Sequence, residues 1–115
     1  MGLRRDPVTD LTLNETVVLL AVLRLKDNGY GVAIREEMTK ITGTTVSYGT
    51  LYSYLDQLFR KGFLAKHDGA PTSQRGGRRK IYHHLTPKGR LALKEMYKVQ
   101  KNLVDEISIW VPDLS

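Results

Sequence analysis

The residues best suited to chemistry lie in one run, Ser47-Tyr48-Gly49-Thr50-Leu51-Tyr52-Ser53-Tyr54-Leu55-Asp56-Gln57-Leu58-Phe59-Arg60-Lys61. At about 100° per residue, Leu51, Leu55 and Leu58 form an apolar stripe flanked by Tyr48, Tyr54 and Phe59. The opposite face carries Gly49, Thr50, Ser53, Gln57 and Arg60. Near its start those side chains are short and hydrogen-bonding, which lets a helix end come close to phosphates and base edges. The unpaired N–H groups of that end can also hold a phosphate. An ordinary amphipathic helix shows the same pattern, so the helix alone does not separate the two readings.

Charge distribution adds to the case. Between Arg60 and Arg90 stand nine cations against Asp68 alone, so this segment carries +8 while the rest of the chain carries −2. One basic block on an otherwise balanced chain points to a polyanionic partner, with nucleic acid favoured. A solvated basic loop is the alternative. Within the block, Pro71-Thr72-Ser73-Gln74-Arg75-Gly76-Gly77-Arg78-Arg79-Lys80 combines glycines with four cations.

Catalytic and metal chemistry find little support. His67, His83 and His84 are the only histidines and cysteine is absent, so thiolate sites and disulfides are excluded. His83 and His84 project to opposite faces of a strand, a poor geometry for a shared ion. No nucleophile–base pair stands out, and Gly29-Tyr30-Gly31 lacks the rest of a dinucleotide fingerprint. An enzyme using the histidines, such as a phosphodiesterase, would need an acidic cluster that the sequence lacks. Neither a metal nor a cofactor is expected.

The elements that position these residues follow from punctuation and periodicity. Residues Met1 to Leu11 read as a loose arm. Thr12 with Glu15 is a capping box that opens a helix running to about Lys26 and stopping at Asp27-Asn28-Gly29. Because Val17 to Leu23 is apolar all round, burial on more than one face is expected. Ile34, Met38 and Ile41 mark a second helix from Gly31 to Ile41, and Thr42 to Thr45 a turn. The third helix takes Ser47 as N-cap and Gly62 as its C′ residue.

Phe63 to Asp68 and Lys80 to Leu85 read as two strands of a hairpin, with Ile81, His83 and Leu85 on one face. Thr86-Pro87 then offers an N-cap and a proline at N1, opening a helix of about 25 residues to Val111. On it Leu93, Met96, Gln100, Leu103, Ile107 and Trp110 follow a 3-4-3-4-3 spacing, a short heptad seam. At roughly 37 Å this helix exceeds what a small domain can cover, which favours dimerisation. Packing of the same stripe on the first helix is the alternative, and both can hold together. The expected architecture is mainly α with a small β-hairpin, divided into 12–86 and a C-terminal dimerisation helix, 87–111. The absence of a long apolar run and of a signal-peptide pattern gives no membrane partner and a cytoplasmic location as expectations.

Several motifs together carry a resemblance. Tyr30-Gly31-Val32-Ala33-Ile34, then Gly49-Thr50-Leu51-Tyr52 with Leu55, Leu58 and Gly62, then Gly77-Arg78-Arg79-Lys80-Ile81-Tyr82 and Leu85-Thr86-Pro87-Lys88-Gly89, occur in order between Thr12 and Gly89. In this the chain resembles the PadR-like transcriptional regulators, in the compact branch with a single C-terminal helix. The resemblance implies a winged helix-turn-helix, a dimeric repressor, and the third helix in the major groove of a pseudo-palindromic operator. It assigns DNA contacts to Ser47, Tyr48, Gly49, Thr50, Tyr52, Ser53 and Gln57, with Arg75, Arg78, Arg79 and Lys80 on the wing. It also places Trp110 where a small-molecule effector could bind at the dimer interface, as in drug-sensing relatives. Ser53-Tyr54 departs from the family's pattern, which bears on base preference rather than fold. A winged-helix protein-interaction module without specific DNA binding is the competing reading.

Overall fold

The computed structural model describes residues 11–69, 80–111 and 113. In it, four helices and one antiparallel hairpin follow the expected order: α1 (Leu13–Leu25), α2 (Gly31–Thr42), α3 (Tyr48–Arg60), β1 (Leu64–Asp68), β2 (Ile81–Leu85) and α4 (Pro87–Trp110). This is the winged helix-turn-helix arrangement with a long C-terminal helix. The N-terminal arm up to residue 10 and the tip of the wing, with Arg75, Arg78 and Arg79, lie outside the described residues.

α1 is the hub, touching α2, α3, β2 and α4. Its capping box is complete: Thr12 Oγ1 accepts from the Glu15 N–H, and the Glu15 carboxylate accepts from the Thr12 N–H. Glu15 is 0% exposed, and both its oxygens also accept from Lys61 Nζ, at 2.9 and 3.1 Å. A buried carboxylate is tolerable only when paired, and this pair ties the end of α3 to the start of α1. Val18, Leu19 and Val22 of α1 meet Ile34 and Met38 of α2, Leu51, Leu55 and Leu58 of α3, and Phe63, Leu64 and Leu85 of the wing.

Two sequence expectations need correction. Leu11, assigned to the loose arm, is buried in the core, so the ordered domain begins before the helix cap. Phe63 and Lys80 fall just outside the strands; Phe63 is spent instead as a fully buried core residue between α3 and β1. On α4, Met96 of the heptad seam is buried within its own chain where α4 packs on α1, in line with the packing that the sequence left open beside dimerisation.

The turn after α1 shows why the wing sits where it does. Lys26, not Gly29, adopts the positive φ (55°, ψ −112°), a conformation that costs about 1–3 kcal/mol for a residue with a Cβ. Gly29 is needed for proximity: an added Cβ would lie 2.7 Å from the His83 carbonyl oxygen. The His83 N–H donates to the Gly29 carbonyl at 2.7 Å, and a bridge pairs Tyr30 with Tyr82. The wing is therefore fastened to the end of α1 as well as to its own partner strand. Its register pairs Leu64 with Leu85 and Asp68 with Ile81.

Candidate nucleic-acid interface

Leu51, Leu55 and Leu58 anchor α3 in the core, which leaves Ser47, Tyr48, Gly49, Thr50, Tyr52, Ser53 and Gln57 exposed together along its outer face. The first turn is closely wired. Ser47 Oγ accepts from the Thr50 N–H at 3.1 Å and donates to Thr50 Oγ1 at 2.9 Å. Around Gly49 there is open space, since an added Cβ would meet nothing nearer than Ser47 Oγ at 4.0 Å. At the other end Arg60 pairs with Asp56 at 2.8 Å, so part of the basic block is already compensated within the helix.

Two residues that sequence reasoning missed fix this surface. Arg35 of α2 donates from Nε to the Val46 carbonyl at 2.6 Å, and its guanidinium lies 4.3 Å from the centre of the Tyr48 ring. Tyr48 in turn stacks on Tyr52, with centroids 6.3 Å apart and planes at 25°. A cation–π–π ladder thus spans the helix-turn-helix. Nothing local in the sequence signals it, because Arg35 and Tyr48 stand on different helices. Lys66, the second, sits 4.4 Å over the Phe59 ring and brings a wing cation alongside α3. Its presence in the basic block was the available clue.

Beside α3 lies a cleft of about 280 Å³ lined by Tyr30, Gly31, Val32, Tyr52, Lys80, Ile81 and His83. The Tyr52 hydroxyl rests on Gly31, where an added Cβ would come to 2.7 Å, so glycine at the start of α2 makes room for it. Tyr30 supplies no side-chain cap to α2, and Lys80 lies 4.1 Å over the Tyr30 ring. Cation, phenol and uncapped helix start thus line one cleft. Of the four wing cations singled out, Lys80 alone lies within the described residues.

His83 forms the floor between α3 and the wing. It is 7% exposed, and its Nδ1 has no hydrogen-bond partner among the described residues. Burial, and after it the charges of Lys66, His84 and His67, push its imidazole down to about 4. His67 and His84 lie on the other face of the hairpin, with centroids 5.4 Å apart. Among the described residues no group of three His, Asp or Glu side chains is placed to hold a metal ion. None of the described helices is long and apolar enough to cross a membrane.

The seam on α4 divides in two. Leu93 and Gln100 are half-buried and Met96 is buried, whereas Leu103, Ile107 and Trp110 stand exposed, Trp110 at 78%. Val99, Val104 and Val111 are also exposed nearby.

Comparison with known proteins gives a consistent result. Residues 19–95 match the model of the transcriptional regulator PadR-like family. Among solved structures, a PadR-like transcriptional regulator from Bacillus cereus superposes with a TM-score of 0.72 at 20% identity, over 86% of this chain and 91% of that one. The complex structure of hsRosR-S4 is 30% identical, with a TM-score of 0.59 over 94% of this chain and 84% of that one. Bordetella bronchiseptica BpsR, whose DNA binding is regulated by 6-hydroxynicotinic acid, is similar at 20% identity and a TM-score of 0.66, over 90% of this chain and 69% of that one. Among curated proteins no sequence matches this chain.

Proposed function

The chain belongs to the PadR-like family of transcriptional regulators, and on that premise we propose that it is a cytoplasmic, sequence-specific duplex-DNA-binding repressor. It acts as a homodimer on a pseudo-palindromic operator. The observation that carries this reading is the exposed, short-chained first half of α3 standing beside a cleft that holds Lys80 and the Tyr52 hydroxyl. Ser47, Tyr48, Gly49, Thr50, Ser53 and Gln57 face the major groove, with base edges nearest the helix start. Tyr52, Lys80 and the start of α2 take a flanking phosphate, which supports affinity without reading sequence. Arg75, Arg78 and Arg79 extend the phosphate contacts from the wing.

Residues 12–86 bind DNA and 87–111 pair two copies through Leu103, Ile107 and Trp110. Leu93, Met96 and Gln100 join the seam to the domain core. Two-fold symmetry then spaces the half-site centres about 34 Å, one helical turn, apart. A small-molecule effector would enter the dimer interface at Trp110, the most exposed large apolar side chain on α4.

The test is selection of bound sequences from a random duplex pool, with affinities measured across salt. A pseudo-palindrome and a steep salt dependence are expected. Arg78→Gln with Arg79→Gln should weaken all duplexes alike and flatten the log–log salt slope by roughly 0.9 for each phosphate that is no longer neutralised. Absence of any salt-dependent shift of duplex DNA would return the chain to the class of protein-interaction modules.

A further inference from the structure

Four threonines stand within the helices described, Thr16, Thr39, Thr42 and Thr50, and the last differs from the other three. Thr16, Thr39 and Thr42 each donate to the carbonyl four residues back, Thr12, Arg35 and Met38, at 2.9, 3.0 and 3.0 Å. That inward bond is the usual resting place of a helical threonine hydroxyl. Thr50 does not make it. It stands in the first turn, and the residue four back, Val46, precedes the Ser47 cap and lies outside the helix, with its carbonyl accepting from Arg35 Nε at 2.6 Å.

A hydroxyl has one hydrogen and two lone pairs. The Ser47 hydrogen goes to Thr50 Oγ1, while a Ser47 lone pair accepts the Thr50 N–H. Thr50 Oγ1 is therefore already an acceptor on its inner side, and its own hydrogen has no acceptor among the described residues. It lies on the exposed face of the first turn of α3.

We infer that Thr50 is a directed hydrogen-bond donor, so each operator half-site presents a major-groove acceptor to it: a purine N7, guanine O6 or thymine O4. Cytosine offers an amino donor at that edge and is the base excluded on the contacted strand. Ser47 sets the polarity, since its hydroxyl donates to Thr50 Oγ1. This rests on the DNA-reading role proposed for α3 and adds the chemical class of base read there.

The experiment compares wild type with Thr50→Val, which keeps the side-chain shape and loses the hydroxyl, on sequences selected by wild type. At one position per half-site cytosine should bind worst, by about fivefold or more, and Thr50→Val should abolish that penalty. Removing the acceptor itself, with a 7-deazapurine or with 5-methyl-2-pyrimidinone in place of thymine, should cost wild type a similar factor and Thr50→Val nothing. Ser47→Gly, a substitution that helix caps tolerate, should narrow the cytosine penalty, because it frees the hydroxyl to turn. Equal binding of cytosine at the affected position, or equal losses for wild type and Thr50→Val on the acceptor-deleted duplex, overturns the inference. A Thr50→Val loss spread evenly over all sequences also overturns it, placing the hydroxyl on a phosphate. A wild-type profile with no preferred sequence overturns both this assignment and the specificity beneath it.

Discussion

The outer face of α3 and the outer half of α4 are both open to solvent, yet they are open in different ways. On α3 the exposed groups are hydroxyls, an amide and two tyrosines, held by Ser47, Arg35 and Gly31 in a set geometry. On α4 the exposed apolar groups of one face are Leu103, Val104, Ile107 and Trp110, and the bonds nearby run within one helix, Lys101 to Asp105 at 3.2 Å and Trp110 Nε1 to Glu106 at 3.3 Å. The first surface is finished before any partner arrives; preorganised polar groups suit recognition of a polar ligand. The second exposes a contiguous apolar stripe of a kind that small soluble chains seldom leave uncovered. The contrast teaches that exposure alone does not tell a polar recognition surface from an apolar one; the state of the exposed hydrogen bonds does.

The sharpest way to break the comparison is Leu103→Asp with Ile107→Asp. Both side chains are exposed, so the winged domain should keep its circular dichroism and thermal midpoint as a monomer. By sedimentation the dimer should be lost, and operator affinity should fall by about 10²–10⁴, the range expected when a second tethered binding module is removed. A double mutant that remains dimeric would move the interface off α4.

A middle-sized effect separates the floor of the α3–wing junction from its surface. The folded His83 imidazole is pushed down to about 4, whereas an unfolded histidine titrates near 6.5. The unfolded chain thus binds the extra proton first. Stability is full above about pH 6.5 and declines as pH falls toward 4, by up to roughly 3 kcal/mol in total. Urea midpoints of wild type should drop across this window while those of His83→Leu stay flatter; parallel curves would show that other groups set the acid response.

The smallest change is Tyr52→Phe. Losing one hydroxyl from the cleft should lower affinity about fivefold, the worth of one modest hydrogen bond, and leave the preferred sequence unaltered. A shifted sequence profile would bring Tyr52 into base reading and blur the division between phosphate seat and reading face.

Much of this molecule could be read from the chain alone, and for identifiable reasons. Thr12 with Glu15, Ser47, Gly62 and Thr86-Pro87 are local signals whose meaning depends on neighbours a few residues away, and each stands where its pattern placed it. The leucine stripe of α3 needs only the helical repeat. Long-range pairings carried no such mark. Glu15 with Lys61, 46 positions apart, and Arg35 with Tyr48 join elements whose approach depends on how the helices pack. For the same reason Leu11 read as arm, since its burial is decided by α1 meeting the other helices. The seam on α4 looked uniform in sequence because heptad spacing says which face is apolar and not which neighbour covers it.

The fastening of the wing to α1 has a consequence for how such proteins can be varied. In a free hairpin the connecting loop sets strand register, so its length and turn type are tightly constrained. Here the His83 N–H to Gly29 bond and the Tyr30–Tyr82 bridge index β2 from outside the hairpin. The connection between Gly69 and Lys80 is thereby relieved of that duty. Insertions, deletions or exchanges there are expected to leave the pairing of the strands below intact. A graft of several extra residues at the wing tip should therefore fold, whereas Gly29→Ala, although it leaves the hairpin itself untouched, should let the strand slip.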